Sequence, residues 1–182
     1  MRYLLTGRQP DATAILLVES GSRGILERLL PPLRQSWGKG ARIDLVSCYA
    51  TLPQGFPPGT RLYRVGDYRG AEGRARLYRE LAGNGYSHAG IVCSAEPLMT
   101  KWKWMLAARL PAKVFVINEN ADYFWLDRLH CDNIRAFVLL RTGLAGAGAV
   151  RLLARLFSFP FTFLYLLLYA TTVHARRKLR RG

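Results

Sequence analysis

Glu19, Ser22 and Arg23 stand together in VESGSRG, directly after the apolar run AILLV. A carboxylate at the end of such a run serves as a general base when a hydroxyl comes within hydrogen-bond reach. Its plainer role is to pair with Arg23. Arg23 and the first backbone N–H groups of a following helix are suited to a phosphate. The turn matches neither GxGxxG nor the P-loop GxxxxGK[ST], so it carries no defined cofactor fingerprint. A second polar group, Asn118, Glu119 and Asn120, closes the run KVFVI. Those side chains suit the hydroxyls of a sugar, or Asn stands there because it tolerates turn backbone. Glu19 is thus the candidate catalytic residue. Ser22, Arg23, Asn118, Glu119 and Asn120 are the candidate substrate-binding residues. His88 and His130 have no Cys or second His at ligand spacing, so no metal site is expected.

The elements that must position these residues follow from periodicity. AILLVES, RIDLVSCY, RLYRV, SHAGIVCS and KVFVINE are short apolar runs of strand length. Between them, ILERLLPPLRQSW, GAEGRARLYRELAGNG and EPLMTKWKWMLAARL have helical spacing. Pro31 and Pro32 stop the first helix or kink it. Strands separated by helices imply right-handed crossovers and a mainly parallel sheet. The expected fold is α/β: a single Rossmann-like sheet with flanking helices, whose ligands bind outside the carboxyl ends of the strands. The segment TKWKWM puts Trp102 and Trp104 on different sides of a helix, so one is expected in the core. Trp104 is the candidate for a lipid interface, with Lys101 and Lys103 beside acidic headgroups.

The chain has 182 residues and a formal net charge of +15. That field favours phosphates, nucleotides, nucleic acid or acidic lipid. No nucleic-acid motif or basic helix stands outside the tail, so a nucleic-acid partner is not expected. Cys48, Cys93 and Cys131 form no CxxC pair, which argues against a disulfide framework. Cys48 and Cys93 read as buried side chains, and reduced thiols suit the cytoplasm. The N-terminus has no secretory pattern, which also places the main domain there.

Past Asp127 the character changes. Leu156 to Val173 is 18 residues without charge, followed by Arg176, Arg177 and Lys178. That length suits a spanning helix. Phe159, Phe161, Tyr165 and Tyr169 supply aromatic contacts with lipid. The basic tail favours the cytoplasmic side, yet so does the preceding domain, and one crossing cannot put both there. Pro160 can break the helix. A re-entrant or in-plane anchor is therefore preferred to a span or a buried helix. The domains divide as 1–128, the Rossmann-like part, and 129–182, a helical membrane-associating segment with a basic tail.

The pattern of ILLVES with its Gly-containing turn, ILERLLPPLR, IDLVSCY, LYRELAGNGYSHAGIVCS and AARLPAKVFVINE resembles the amino-terminal, acceptor-side half of two-domain glycosyltransferases of the heptosyltransferase-like group. The resemblance covers residues 12 to 128. It implies sugar transfer from a nucleotide sugar, in envelope glycan or glycolipid assembly, at the cytoplasmic face of the inner membrane. Two departures stand out. That group carries Gly-Asp in the first turn, where this chain has Gly21-Ser22-Arg23-Gly24. It also has a second Rossmann-like half to grip the donor. The alternative is a non-catalytic membrane-anchored module that docks a partner protein supplying the second domain.

Overall fold

The computed structural model describes residues 3, 7–38, 40–94, 96, 98–142 and 147–179, without the side chains of 147–153 and 175–179. The chain divides into two compact units, Met1–Cys131 and Asp132–Gly182.

The first unit holds one six-stranded sheet: β1 (Ala14–Val18), β2 (Arg42–Ser47), β3 (Leu62–Arg64), β4 (His88–Val92), β5 (Lys113–Ile117) and β6 (Tyr123–Trp125). Its order is β3-β2-β1-β4-β5-β6. The first five strands are parallel, and β6 returns antiparallel against β5. The helices α1 (Gly24–Trp37), α2 (Gly70–Gly83) and α3 (Thr100–Arg109) connect strands. From β1 the chain moves outward to β2 and β3, then crosses to β4 and moves the other way. The order therefore reverses between β1 and β4, where open α/β sheets form their ligand crevice.

Helices over the sheet explain why β1, β4 and β5 are buried at every position. Ile15 and Leu17 of β1 pack with Leu26, Leu29 and Leu33 of α1. The alternate residues Leu16 and Val18 face the other side of the pleat and are also buried. The helix α1 runs unbroken through Pro31 and Pro32, so neither stops it. Both prolines are exposed, and water can take the carbonyls they leave unbonded.

At the amino ends of the strands, Trp37 stacks on Trp125 at 5.8 Å and meets Phe115 edge-on at 5.2 Å. His88 lies in this cluster, 4.9 Å from the Trp37 ring. Burial, and then the Lys113 charge, lower its pKa to about 4. Lys113 pairs with Asp127, both fully buried. Asp127 also accepts from the backbone N–H groups of Leu129 and His130. Cys93 is buried, whereas Cys48 is exposed, contrary to the expectation for it.

The second unit contains α5 (Ala147–Leu179), preceded by α4 (Cys131–Arg141). The stretch Ala154–His174 has a mean hydropathy of 1.6 and is long and apolar enough to cross a membrane. The break expected at Pro160 is absent, because α5 is continuous through it. Phe159, Phe161, Tyr165 and Tyr169 are all exposed. From Phe163 to Tyr169 every residue is apolar or aromatic, so no polar face runs along this part of the helix. The side chains of Arg176, Arg177 and Lys178 lie outside the described residues.

Candidate functional site

The turn after β1 is built from three directions. Glu19 extends the pairing with β2 through its N–H to the Val46 carbonyl at 2.9 Å. Its carboxylate Oε2 accepts from Ser47 Oγ, at the end of β2. Oε1 lies 3.6 Å from Arg23 Nε. Glu19 is 1% exposed, and burial raises its pKa against the lowering effects of Ser47 and Arg23. In this arrangement Arg23 and Ser47 enclose the carboxylate. Arg23 must swing away before a substrate proton can reach Oε1.

Gly21 follows at φ +105°, in the left-handed half of backbone space that favours glycine. A Cβ there would collide with Ser94 Oγ, so the close approach of the loop after β4 also needs glycine. Ser94 Oγ donates to the Ser20 carbonyl at 3.0 Å. Ser20 Oγ donates to the Leu98 carbonyl at 2.5 Å. Tyr49 OH reaches the Gly21 carbonyl at 3.3 Å, and the Arg23 guanidinium lies 4.8 Å above the Tyr49 ring. Arg23 also donates to Thr51 Oγ1 at 3.0 Å. Ser22 is exposed at the tip.

The residue that sequence reasoning missed is Lys103. It was expected beside lipid headgroups, yet it is buried, with Nζ 3.2 Å from Ser20 Oγ and 3.4 Å from the Val92 carbonyl. The reason is its place on the inner stripe of α3, with Leu106 and Ala107 three and four residues on. Trp102 is half-buried and Trp104 is 41% exposed, so neither tryptophan is the core residue of this helix. Arg23 at Glu19 and Lys103 at Ser20 thus place cations beside two adjacent residues after β1, where the strand order reverses.

Asn118, Glu119 and Asn120 form a separate feature. The Asn118 side chain accepts from the N–H groups of Asn120 at 2.9 Å and Asp122 at 3.0 Å, which shapes the β5–β6 turn. The Glu119 carbonyl accepts from Arg28 of α1 at 2.9 Å. Glu119 and Asn120 are exposed. Two strand spacings separate β5 from β1, about 10 Å. A sugar-sized ligand can bridge that distance, but no described hydrogen bond joins this turn to Glu19. Among the described residues no group of three His, Cys, Asp or Glu side chains converges on a metal position.

No protein family model and no curated protein matches the chain. A solved structure, the UDP-D-quinovosamine 4-dehydrogenase of Vibrio fischeri, is similar at 18% identity and a TM-score of 0.42. The match covers 64% of this chain and 94% of that one. A likeness this slight assigns no activity.

Proposed function

We propose that the chain is a membrane-anchored, glycosyltransferase-like protein of envelope glycan or glycolipid assembly. Its crevice between the carboxyl ends of β1 and β4 takes a phosphate-bearing ligand of the nucleotide-sugar or lipid-linked sugar kind. The observation that carries this reading is that Arg23 at Glu19 and buried Lys103 at Ser20 stand beside adjacent residues of the turn after β1. Two cations beside a glycine turn and the start of α1 suit an anion. Ser22 and Arg23 would contact the phosphate. Glu19 would act as base once Arg23 moves to the ligand. Asn118, Glu119 and Asn120 would contact the sugar from the neighbouring turn, and Trp104 the lipid surface.

The continuous α5 supports a spanning anchor. In-plane helices need a polar face, and a re-entrant loop needs a break. Ser158, Thr162, Thr171 and Thr172 each donate to a carbonyl of their own helix, at 3.1, 3.0, 2.8 and 2.8 Å. That satisfies hydroxyls where there is no water. The free thiols Cys48 and Cys131, both exposed, support a sheet unit on the cytoplasmic side. A span then carries Arg176, Arg177 and Lys178 to the opposite side, against the positive-inside tendency.

A second reading is a non-catalytic module that docks a partner subunit. The enclosure of Glu19 favours it. The two separate in one experiment. The full chain, purified in detergent, is given radiolabelled nucleotide sugars and a lipid-linked acceptor. Transfer that falls at least about tenfold in Glu19→Gln supports the enzyme. Binding without transfer supports the module.

A further inference from the structure

The hydroxyl-bearing residues of the apolar stretch fall on one seam. Ser158, Thr162, Tyr165, Tyr169 and Thr172 are spaced four, three, four and three residues apart, with Thr171 alone outside the series. Alternating steps of four and three keep one side of a helix facing a partner along a left-handed supercoil. The opposite side carries Leu156, Phe163 and Leu167, which lipid covers without cost.

The two tyrosines make this seam more than a pattern. Ser158, Thr162 and Thr172 donate to carbonyls of α5 itself. The Tyr165 and Tyr169 hydroxyls have no hydrogen bond among the described residues, because a para hydroxyl cannot fold back onto its own backbone. Their rings lie nearly parallel, 20° apart, with centroids at 6.4 Å. The stretch Ala154–His174 is about 31 Å long, which matches the hydrocarbon core. Tyr165 then lies about 1.5 Å from mid-depth and Tyr169 about 7.5 Å from it. At that depth no water or headgroup can reach the phenols, and an unbonded polar group is costly.

We propose that α5 pairs in parallel with the α5 of a second copy of this chain, through the Tyr165 and Tyr169 face. This rests on the spanning reading of α5. A second copy is the occupant that the chemistry selects. In a parallel two-fold pair each residue meets its equivalent at the same depth. A phenol hydroxyl both donates and accepts, so Tyr165 bonds Tyr165 of the copy, and Tyr169 does the same. The seam is therefore self-complementary. Arg155 falls on the same spacing one step before Ser158, about 13.5 Å from mid-depth, and its long side chain reaches the headgroups from the core edge. Acidic phosphates neutralise its repulsion there, so pairing is stronger in vesicles that contain anionic lipid.

The test is energy transfer between donor-labelled and acceptor-labelled full chains in vesicles of phosphatidylethanolamine and phosphatidylglycerol, over a range of protein-to-lipid ratios. Alkali extraction of the same samples reports insertion separately. Wild type is expected to associate above the random-collision level. Tyr165→Phe with Tyr169→Phe, which keeps both rings, should weaken association about three- to tenfold while the chain stays inserted. Leu167→Phe, on the opposite side, should leave it unchanged. An inserted wild type that stays monomeric overturns the proposal, as does association indifferent to the double substitution. A chain that alkali extracts overturns the spanning reading instead, and the pairing with it.

Discussion

Lys103 Nζ lies 3.2 Å from Ser20 Oγ, which ties the first turn of α3 to the residue after Glu19. The Val92 carbonyl is the second partner of this buried ammonium, and among the described residues no carboxylate pairs with it. A bound anion would. Lys103→Met keeps the length of the stem and removes the charge. It is predicted to change stability by no more than about 2 kcal/mol, since the lost hydrogen bonds and the relieved burial of charge oppose each other. Affinity for a nucleoside diphosphate should fall about tenfold or more. Calorimetric titration and urea denaturation measure the two effects. Unchanged affinity would remove Lys103 from the site.

Glu19 gives a pH signature. Burial raises its carboxyl above the ordinary 4.5. The native state then holds that proton more tightly than the unfolded chain does. The stability it contributes is complete below about pH 4.5 and is lost as pH rises through the native pKa. Glu19→Gln does not ionise and is predicted to be at least as stable as wild type at pH 7, with the difference shrinking towards pH 4. Urea denaturation between pH 4 and 8 reads this directly. A Gln variant clearly weaker at pH 7 would show that Arg23 stabilises the anion more than burial penalises it.

His88 gives the opposite slope. Burial, and then Lys113, lower its pKa from 6.5 to about 4. Its contribution is complete above pH 6.5 and is lost as pH falls through 4, by about 3 kcal/mol in all. His88→Phe keeps an aromatic ring beside Trp37 and Trp125 and should flatten the stability profile between pH 6.5 and 4. A profile as steep as that of wild type would assign the acid sensitivity to other groups.

The buried pair Lys113–Asp127 predicts non-additive substitutions. Lys113→Met alone strands a carboxylate and should cost about 3–5 kcal/mol. Adding Asp127→Asn, which keeps an acceptor for the Leu129 and His130 N–H groups, should recover part of that loss. A denaturation double-mutant cycle gives the coupling. Strict additivity would mean the two charges do not depend on each other.

The apolar runs made most of the sheet legible. The five parallel strands follow from them, and so does the place of Glu19 and Asn118 just past the carboxyl ends of β1 and β5. The strand β6 was not legible, because YFW is three residues long within a polar stretch and pairs only once β5 exists. The course of α1 through Pro31 and Pro32 depends on which side of the helix faces water, which packing decides. Lys103 was legible in principle. Lys103, Leu106, Ala107 and Leu110 form a stripe at steps of three, one and three, and all are buried. Reading the segment by its tryptophans, which straddle that stripe, hides it. Ser47 was not legible, because its bond to Glu19 requires β2 to lie beside β1. Asn118 carries the ambiguity its residue type predicts, and its side chain serves the turn.

The most direct measurement is thermal unfolding of the full chain in detergent against a panel of nucleotide sugars and nucleoside diphosphates. Ligand at 100 times its dissociation constant adds about 2.7 kcal/mol of stability, a readily measured rise in Tm. The proposed phosphate site at the turn after β1 predicts a rise for at least one nucleotide ligand, strongly reduced in Arg23→Ala and in Lys103→Met. No rise with any of them, or an equal rise in both variants, would contradict it.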